Sequence, residues 1–220
     1  MTKKDRIRQS MYSIIFGAFV IYTIKYADFN PYPKRLNADH QEKWDAAGLD
    51  ESILQEGDIV LRHSKGFVSD AILTFSTNDP EYSHSGVIKI VDGKTYVYHA
   101  TGGEENVSNE MKLDPIELYC HPSAVFKFGI FRYDLTSAQR KRFMDVLDGY
   151  YAKGVEFDMD FDMETEEEMY CSEMIYKALA IATNDNNFIP LSEVLDKPYV
   201  AIDNLYLNDH CNLIFKYDYD

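Results

Sequence analysis

The chain has 220 residues, of which 45% are apolar and 14% aromatic, and its net charge is −15. This length and apolar content allow one large folded domain and exclude a wholly disordered or fibrous chain. The excess of acidic side chains repels phosphate backbones, so the sequence predicts no nucleic-acid partner. Three cysteines are too few for a disulfide scaffold, and their odd number predicts at least one free thiol.

The first 35 residues differ in charge from the rest of the chain. They carry seven Lys or Arg and two Asp, a net charge of +5, whereas residues 36–220 carry −20. Basic residues precede an uncharged apolar run over residues 11–24, which is the order found in secretion signals. We therefore predict a signal or retained membrane anchor plus linker in residues 1–35 and a folded domain in residues 36–220. A basic amphipathic helix packed on that domain is the alternative.

Residues 36–220 contain the patterns of both helices and antiparallel strands. The predicted helices are a short one ending at Gly57, one over residues 67–77, one capped by Thr136 and Gln139, and one opened by Cys171. The predicted strands cover residues 58–62, 82–91, 94–100 and 125–132. Residues 157–164 alternate apolar with acidic side chains, which predicts an extended segment with a solvated acidic face. Because no β-α-β unit repeats, the pattern favours an α+β fold.

Two histidines are brought together by the predicted hairpin. Asp92-Gly93 is typical of a two-residue turn, and pairing from that turn places Gly86 opposite His99. His84 and His99 then lie on one sheet face as diagonal neighbours, so their imidazoles can hydrogen-bond. The missing side chain of Gly86 leaves room for a ring. Two ordinary half-buried histidines of a sheet remain the alternative interpretation.

Cys171 is the strongest candidate nucleophile among the cysteines. It opens a predicted helix, where unpaired N–H groups and the positive end of the helix dipole face the sulfur. Such a position lowers the pKa of a thiol, so we predict a lowered pKa for Cys171. An inert thiol packed under the helix is the alternative.

Cys120-His121 is a rival pairing of a thiol with an imidazole. Neighbours in an extended chain point apart, and no predicted helix follows Cys120 to stabilise a thiolate. We therefore rank it below Cys171. The sequence leaves open whether Cys120 pairs with Cys211 in a disulfide.

Metal binding is a further alternative for the same residues. His84, His99 and a cysteine could hold zinc, but a fourth ligand is not evident and no closely spaced ligand pair is present. Residues 158–162 begin like a calcium-binding loop, yet Met163 and Met169 stand where Gly and Glu are required. The sequence therefore predicts no cofactor.

Five short motifs occur in a recognisable order. They are Gly57-Asp58-Ile59-Val60-Leu61, Tyr82-Ser83-His84-Ser85-Gly86, His99 on the next strand, Gly154-Val155-Glu156-Phe157-Asp158 and Tyr170-Cys171-Ser172-Glu173. This order resembles the circularly permuted NlpC/P60 papain-like cysteine hydrolases of the YiiX-like group, whose relatives include the lecithin:retinol acyltransferase-like enzymes. The resemblance extends over residues 57–182. It implies a permuted papain-like fold, in which an antiparallel sheet packs against helices and the histidine precedes the cysteine.

The resemblance also implies roles for three residues. Cys171 matches the nucleophile, His84 the general base and His99 the polar third group that orients the base. Close YiiX-like members often carry Glu at the third position, and His there is more similar to the acyltransferase branch. Hydrolysis and acyl transfer therefore both remain open.

The expected function is that of a cysteine amidase or peptidase that forms a thioester acyl-enzyme. The expected substrates are cell-envelope peptides or acyl amides, and the expected location is the extracytoplasmic side of the cell envelope, with residues 1–35 in contact with the membrane. A lipid acyltransferase or thioesterase using the same three residues is the first alternative. A non-catalytic binding module on the same fold is the second.

Overall fold

The computed structural model of the protein describes residues 38–102, 109–161, 163–194 and 196–219. Six strands form one sheet: β1 (Ile59–Ser64), β2 (His84–Val91), β3 (Lys94–His99), β4 (Lys112–Pro115), β5 (Val125–Tyr133) and β8 (Cys211–Asp218). Their order is β4-β3-β2-β1-β5-β8, and every neighbouring pair is antiparallel. A separate two-stranded ribbon contains β6 (Ser192–Val194) and β7 (Lys197–Tyr199).

The helices described are α1 (Ala38–Ala46), α2 (Phe67–Leu73), α3 (Ile116–Tyr119), α4 (Ser137–Lys153) and α5 (Cys171–Thr183). The 3₁₀ helices among the described residues cover Glu51–Ile53 and Ile202–Leu205. None of the helices in these described ranges is long and apolar enough to cross a membrane. The predicted N-terminal signal or anchor helix of residues 1–35 lies outside the described residues. The predicted α+β fold, an antiparallel sheet packed against helices, is confirmed.

The sheet carries a hydrophobic cluster on each face. The first cluster joins the sheet to α4 and α5 and includes the fully buried residues Ile59, Leu61, Val87, Phe143, Leu147, Ile175, Ala178 and Leu179. The second lies on the opposite face with α1 and α3 and includes Val60, Ile88, Val97, Ile116, Tyr119, Cys120, Phe128 and Ile130. Neighbouring residues of β1 belong to different clusters because side chains alternate along a strand. Each fully buried aliphatic or aromatic side chain contributes about 1.5–3 kcal/mol, so this two-sided core stabilises the sheet.

Two sequence signals are confirmed by local geometry. The hairpin pairs Val91 with Lys94 and continues in the same register, as the turn at Asp92-Gly93 predicts. At the start of α4, the Gln139 N–H donates to Thr136 Oγ1 at 3.2 Å, and the Thr136 N–H donates to Gln139 Oε1 at 3.0 Å. These reciprocal bonds satisfy donors that a helix start otherwise leaves unpaired.

The Gly57-Asp58 motif has a structural explanation. Asp58 is fully buried, and its two carboxylate oxygens accept bonds from Arg132 at 2.7 Å each. The Gln55 N–H donates to the same carboxylate at 2.8 Å, and Arg140 lies 3.9 Å from it. A buried carboxylate is stable only when it is paired in this way. Asp58 therefore ties the start of β1 to β5.

Two predicted elements are wrong in detail. The helix predicted over residues 67–77 ends at Leu73 and continues as single turns. The extended segment predicted over residues 157–164 is not a strand in its described part. There Asp158 is buried, its Oδ1 accepts the N–H of Asp160 at 2.7 Å, and Phe161 has a left-handed φ of 54°. This side-chain bond turns the chain, so the alternation of apolar and acidic residues does not produce a flat acidic face.

Candidate active site

His84 and His99 lie side by side at the end of the hairpin, where β2 begins and β3 ends. His84 Nε2 and His99 Nδ1 are 3.1 Å apart, and the rings meet edge to face with centroids 5.3 Å apart. A Cβ at Gly86 would lie 3.3 Å from the Cβ of His99 and only 2.4 Å from Val97 Cγ1. The hydrogen-bonded pair and the need for glycine therefore follow the sequence-based prediction.

Asp114 extends the pair into a row of three side chains. His99 Nε2 is 3.0 Å from Asp114 Oδ2. In the β3–β4 register Val97 faces Asp114 and His99 faces Lys112, so Asp114 is a diagonal neighbour of His99 on the same face. Burial acts to raise the pKa of Asp114, but the His99 hydrogen bond and nearby positive charges outweigh it and hold that pKa below its usual range. The row therefore ends in an ionised carboxylate at neutral pH.

Both histidines are neutral at neutral pH. Burial lowers the pKa of His84 well below its usual value, and the charges of Arg62, His99 and Lys112 act in the same direction. Burial also lowers the pKa of His99 to about 4, although its bond to Asp114 opposes this effect. A neutral imidazole has one N–H and one lone pair, so each ring can both donate and accept in the row.

Arg62 is a buried cation next to the histidines. It faces His84 directly in the β1–β2 register, and only 4% of it is exposed. Its Nη1 donates to the backbone oxygen of Tyr119 at 2.7 Å, and its guanidinium carbon lies 4.2 Å from the centre of the Tyr119 ring. That ring also contacts His84 and His99, with centroid distances of 5.8 and 4.9 Å. The fixed positive charge disfavours protonation of either imidazole.

Cys171 is the first residue of α5, as predicted, and is 6% exposed. Its sulfur interacts with the hydroxyl and the backbone N–H of Ser85 and with the backbone N–H of Ser172. The Ser85 hydroxyl oxygen is buried and has no regular hydrogen-bond partner among the described residues, so its interaction with the sulfur is weaker than a full hydrogen bond. Ser85 follows His84 in β2. Among the described contacts, however, no hydrogen bond joins the sulfur to His84 or His99.

The predicted low pKa of Cys171 is wrong. Burial raises the pKa of the thiol, and the hydrogen bonds from Ser85 and Ser172 lower it only in part. The helix start supplies the expected donors, but the removal of a thiolate from water raises the pKa by more than these donors lower it. At rest the site therefore contains a neutral thiol and neutral imidazoles.

The residues that flank Cys171 fix the start of α5. The Val200 N–H donates to the Tyr170 hydroxyl at 2.9 Å, and the Ser172 hydroxyl donates to the Val200 carbonyl at 2.8 Å. The Tyr170 N–H donates to the carboxylate of Glu173 at 3.2 Å. Burial raises the pKa of Glu173 to about 7, although Lys177 lies 2.8 Å from it. The residues before and after the cysteine are therefore both bonded to the backbone of Val200, which fixes the position of Cys171.

The other two thiols are in different surroundings. All three cysteines are free, so Cys120 and Cys211 do not pair. Burial raises the pKa of Cys211 to about 12 and that of Cys120 further. His121, which follows Cys120, bonds through Nδ1 to Ser123 Oγ at 2.6 Å. Within the described ranges, no group of three or more His, Cys, Asp or Glu side chains is arranged to hold a metal ion.

Comparison with known proteins identifies a relative. The chain matches no family model. The uncharacterized protein YiiX of Escherichia coli (strain K12) is 26% identical over 125 residues, which are 56% of this chain and 56% of YiiX. The chain is a homologue of YiiX. The alignment spans about half the length of this relative.

A solved structure supports the same relationship at the level of the fold. The crystal structure of the metalloprotein yiiX from Escherichia coli O157:H7 has a TM-score of 0.61 with this chain. The match covers 74% of this chain and 97% of that one, at 19% identity. The α+β arrangement of sheet and helices is therefore shared with YiiX.

Sequence reasoning missed three residues of the site: Arg62, Ser85 and Asp114. Ser85 stands inside the motif of residues 82–86 and could have been singled out by its place next to His84. Arg62 is the only basic residue in the predicted strand over residues 58–62, which is a weak signal for a buried cation. Asp114 carries no signal, because β4 has only four residues and ends in a proline.

Proposed function

We propose that this chain is a cysteine acyl hydrolase on a permuted papain-like fold, acting as an amidase or peptidase. Cys171 is the nucleophile, His84 the general base and His99 the group that orients the base. The observation that carries the proposal is the hydrogen-bonded row of Asp114, His99 and His84, because His84 is followed in β2 by Ser85, which interacts with the sulfur of Cys171. A nucleophile, a base and an orienting group in this order are the elements of covalent acyl transfer.

The first step starts from neutral partners. His84 takes the proton of the Cys171 thiol as the sulfur attacks the carbonyl carbon of the substrate. The tetrahedral intermediate expels the amine, which receives the proton from His84, and a thioester remains on Cys171. Water then adds to the thioester with His84 again as base, and the carboxylic acid and the free thiol are released. The sulfur and the imidazole must approach each other for the first proton transfer, since no hydrogen bond joins them at rest.

Backbone N–H groups near the sulfur can stabilise the oxyanion of this intermediate. The Ser172 N–H belongs to the first turn of α5, which has no intrahelical acceptor, and it points to the sulfur. The Ser85 N–H points to the same sulfur from β2. Donors fixed before the reaction stabilise developing negative charge without reorganisation.

Acyl transfer to an alcohol or amine is the second candidate function. The observation that favours it is an apolar wall beside the hairpin end. A Cβ placed on Gly102, three residues after His99, would lie 2.7 Å from the Phe157 ring and 3.2 Å from Met159 Sδ. Such a wall suits an acyl chain, and exclusion of water favours an acceptor other than water.

The proposed location is the extracytoplasmic side of the cell envelope, where peptides and acyl amides of the envelope are the substrates. Basic residues before the apolar run of residues 11–24 stay cytoplasmic under the positive-inside rule, which places residues 36–220 outside. We expect full-length protein to sediment with membranes and to resist carbonate extraction. A chain lacking residues 1–28 should be released as a folded, active domain. A large fall in melting temperature with loss of activity would instead support a helix packed on the domain.

A covalent adduct tests the proposed activity. The folded protein is incubated with p-nitrophenyl acetate and, separately, with envelope extracts, and is then analysed by intact mass and peptide mapping. We expect one acyl group on Cys171, and none on the Cys171→Ala variant. Cys120→Ala is the matched control and should acquire the adduct at the wild-type rate. Acylation of Cys120 or Cys211 with Cys171 unmodified would contradict the assignment.

Metal content separates the proposal from a zinc-holding module. The name metalloprotein belongs to the YiiX structure, and in this chain the facing nitrogens of His84 and His99 bond to each other. Elemental analysis of the purified protein, followed by acylation before and after chelation, gives the answer. Acylation that survives complete removal of metal supports the cysteine mechanism. Loss of acylation and its return with zinc would favour the module.

A further inference from the structure

The hydrogen bonds in the row of Asp114, His99 and His84 run in one direction, because the carboxylate of Asp114 at one end of the row can only accept. An ionised carboxylate has no hydrogen to donate, so His99 Nε2, 3.0 Å from Asp114 Oδ2, must carry the proton of that bond. A neutral His99 with its proton on Nε2 has a lone pair on Nδ1. That lone pair faces His84 Nε2 at 3.1 Å.

The same logic applies to the second imidazole. Because His99 Nδ1 accepts, His84 Nε2 must donate and therefore carries the proton of the neutral ring. The remaining nitrogen, His84 Nδ1, is left with its lone pair. One carboxylate on β4 thus determines the tautomers of two rings on β2 and β3.

We propose that Asp114 is a positioning residue that holds both histidines as Nε2–H tautomers and so keeps His84 Nδ1 free to accept the thiol proton. The proposal rests on the proposed function for the use of that proton acceptor, whereas the tautomers themselves are independent of it. Asp114 touches neither the substrate nor the sulfur. It acts through His99.

The surroundings of the row favour this distribution of charge. Arg62 from β1 faces His84, and Lys112 on β4 faces His99. Tyr119 from α3 contacts both rings. The two cations stabilise the carboxylate of Asp114 and oppose an imidazolium. The row is therefore held as one anion and two neutral rings.

Replacing the carboxylate of Asp114 by an amide allows the hydrogen bonds of the row to run in the opposite direction. In Asp114→Asn the amide NH₂ group can donate to His99 Nε2, which places the His99 proton on Nδ1. His99 Nδ1 then donates to His84 Nε2, and the His84 proton moves to Nδ1. The nitrogen that must receive the thiol proton is blocked, with almost no change in shape.

Asp148 offers a matched control. This carboxylate accepts from the Tyr98 hydroxyl at 2.8 Å and from Lys89 at 3.0 Å, so it bonds to the residue of β3 that precedes His99. Tyr98 belongs to the cluster on the other face of the sheet from Tyr119. Asp148→Asn therefore removes one negative charge near the hairpin without touching the row.

The experiment reads the tautomers directly by long-range ¹H–¹⁵N correlation spectra of the full chain labelled with [¹⁵N]histidine. In the wild type we expect Nε2–H tautomers for both His84 and His99. In Asp114→Asn we expect both to change to Nδ1–H, and in Asp148→Asn neither should change. Melting temperatures of the variants establish that they are folded, and Asp114→Glu should restore the wild-type tautomers if asparagine proves destabilising.

Acylation of Cys171 by p-nitrophenyl acetate gives the second readout. We expect Asp114→Asn to slow it by roughly 10²-fold or more and Asp114→Glu to recover a large part of the rate. Unchanged tautomers in a folded Asp114→Asn variant, or equal changes in Asp148→Asn, would overturn the proposal. A change of tautomers in a protein whose Cys171 is never acylated would support the proposal and contradict the proposed function instead.

Discussion

Cys120 and Cys171 are both buried thiols with histidines nearby, yet their surroundings differ in two respects. Cys120 is fully buried in the apolar cluster around α3, and its neighbour His121 bonds within its own turn to Ser123. Cys171 has donors from Ser85 and Ser172 at its sulfur. The histidines near Cys171 come from distant residues and are linked to a carboxylate, whereas the histidine beside Cys120 is adjacent in sequence.

The comparison separates burial and closeness in sequence from the contacts that the proposed mechanism requires. Burial raises the pKa of both sulfurs and by itself makes both inert. What distinguishes Cys171 is a set of fixed donors for the sulfur and a neighbouring row of side chains that can hold a proton. The following predictions test whether these two features separate the sites.

The largest expected difference concerns the two histidine positions. His84→Ala removes the proposed base, so acylation of Cys171 by p-nitrophenyl acetate should fall roughly 10³-fold. His121→Ala removes another buried imidazole and should leave the rate at the wild-type level. His99→Ala should leave a measurable remainder, because His99 orients the base and does not exchange the thiol proton. Equal losses in the His84 and His121 variants, with both folded, would remove the distinction between the sites.

The sequence predicted the parts of the site that rest on local rules. Asp92-Gly93 set the hairpin register, which in turn placed His84 beside His99. The start of α5 at Cys171 followed from helical periodicity. Asp114 could not be predicted, because its place depends on how a separate four-residue strand pairs with β3. The predicted pKa of Cys171 was wrong for a related reason. The burial of the thiol depends on which elements of the fold cover the start of α5.

The segment over residues 157–164 shows another limit of pattern reading. Its alternation is the period of a strand, but Asp158 bonds to the backbone of Asp160 and turns the chain. Such local bonds from an aspartate compete with regular structure and are not visible in hydrophobic periodicity. The strand β8 and the helix α1 were also not predicted. β8 pairs only with β5 at the sheet edge, so its alternation is weak and its sides are largely exposed.

Glu173 provides the next prediction, on the helix that Cys171 opens. Its pKa is raised to about 7 in the folded protein from 4.5, so between these pH values the native state holds a proton that the unfolded state lacks. The contribution of Glu173 to the free energy of unfolding should therefore be fully present below pH 4.5 and should fall by about 3 kcal/mol as the pH rises through 7. Glu173→Gln should remove this slope, as measured by urea unfolding from pH 4 to 8.

A charge-matched control for Glu173→Gln is available at the Cys120 site. Glu117 stands in the first turn of α3, so Glu117→Gln also removes one carboxylate from the start of a helix that precedes a cysteine. If both variants change the pH dependence of the free energy of unfolding to the same extent, that dependence does not come from the buried carboxylate of Glu173.

Gly86 tests the packing that brings His84 and His99 together. In Gly86→Ala the new Cβ would lie 2.4 Å from Val97 Cγ1 and 2.8 Å from the Tyr98 carbonyl oxygen, so the strands must shift. We expect a loss of about 2 kcal/mol in the free energy of unfolding, together with slower acylation of Cys171. Gly149→Ala on α4 is the control, because nothing lies within 4 Å of the new Cβ. That variant should be slightly more stable, by up to about 1 kcal/mol. A stable Gly86→Ala variant with normal acylation would show that close contact at this point is unnecessary.

The smallest expected effect is the order in which iodoacetamide modifies the three thiols of the native protein. Cys211 is half-buried and more accessible than Cys171, which is 6% exposed, so access alone predicts that Cys211 reacts first. Donors at the sulfur predict the opposite order, with Cys171 about tenfold faster, because only the thiolate is the nucleophile. Since the pKa of Cys171 is raised, its rate should increase steadily between pH 6 and 8. Ser85→Ala removes one of the donors and should slow Cys171 without changing Cys211. If Cys211 reacts first at every pH and Ser85→Ala has no effect, accessibility governs the reaction and the donors around Cys171 do not distinguish it from Cys120.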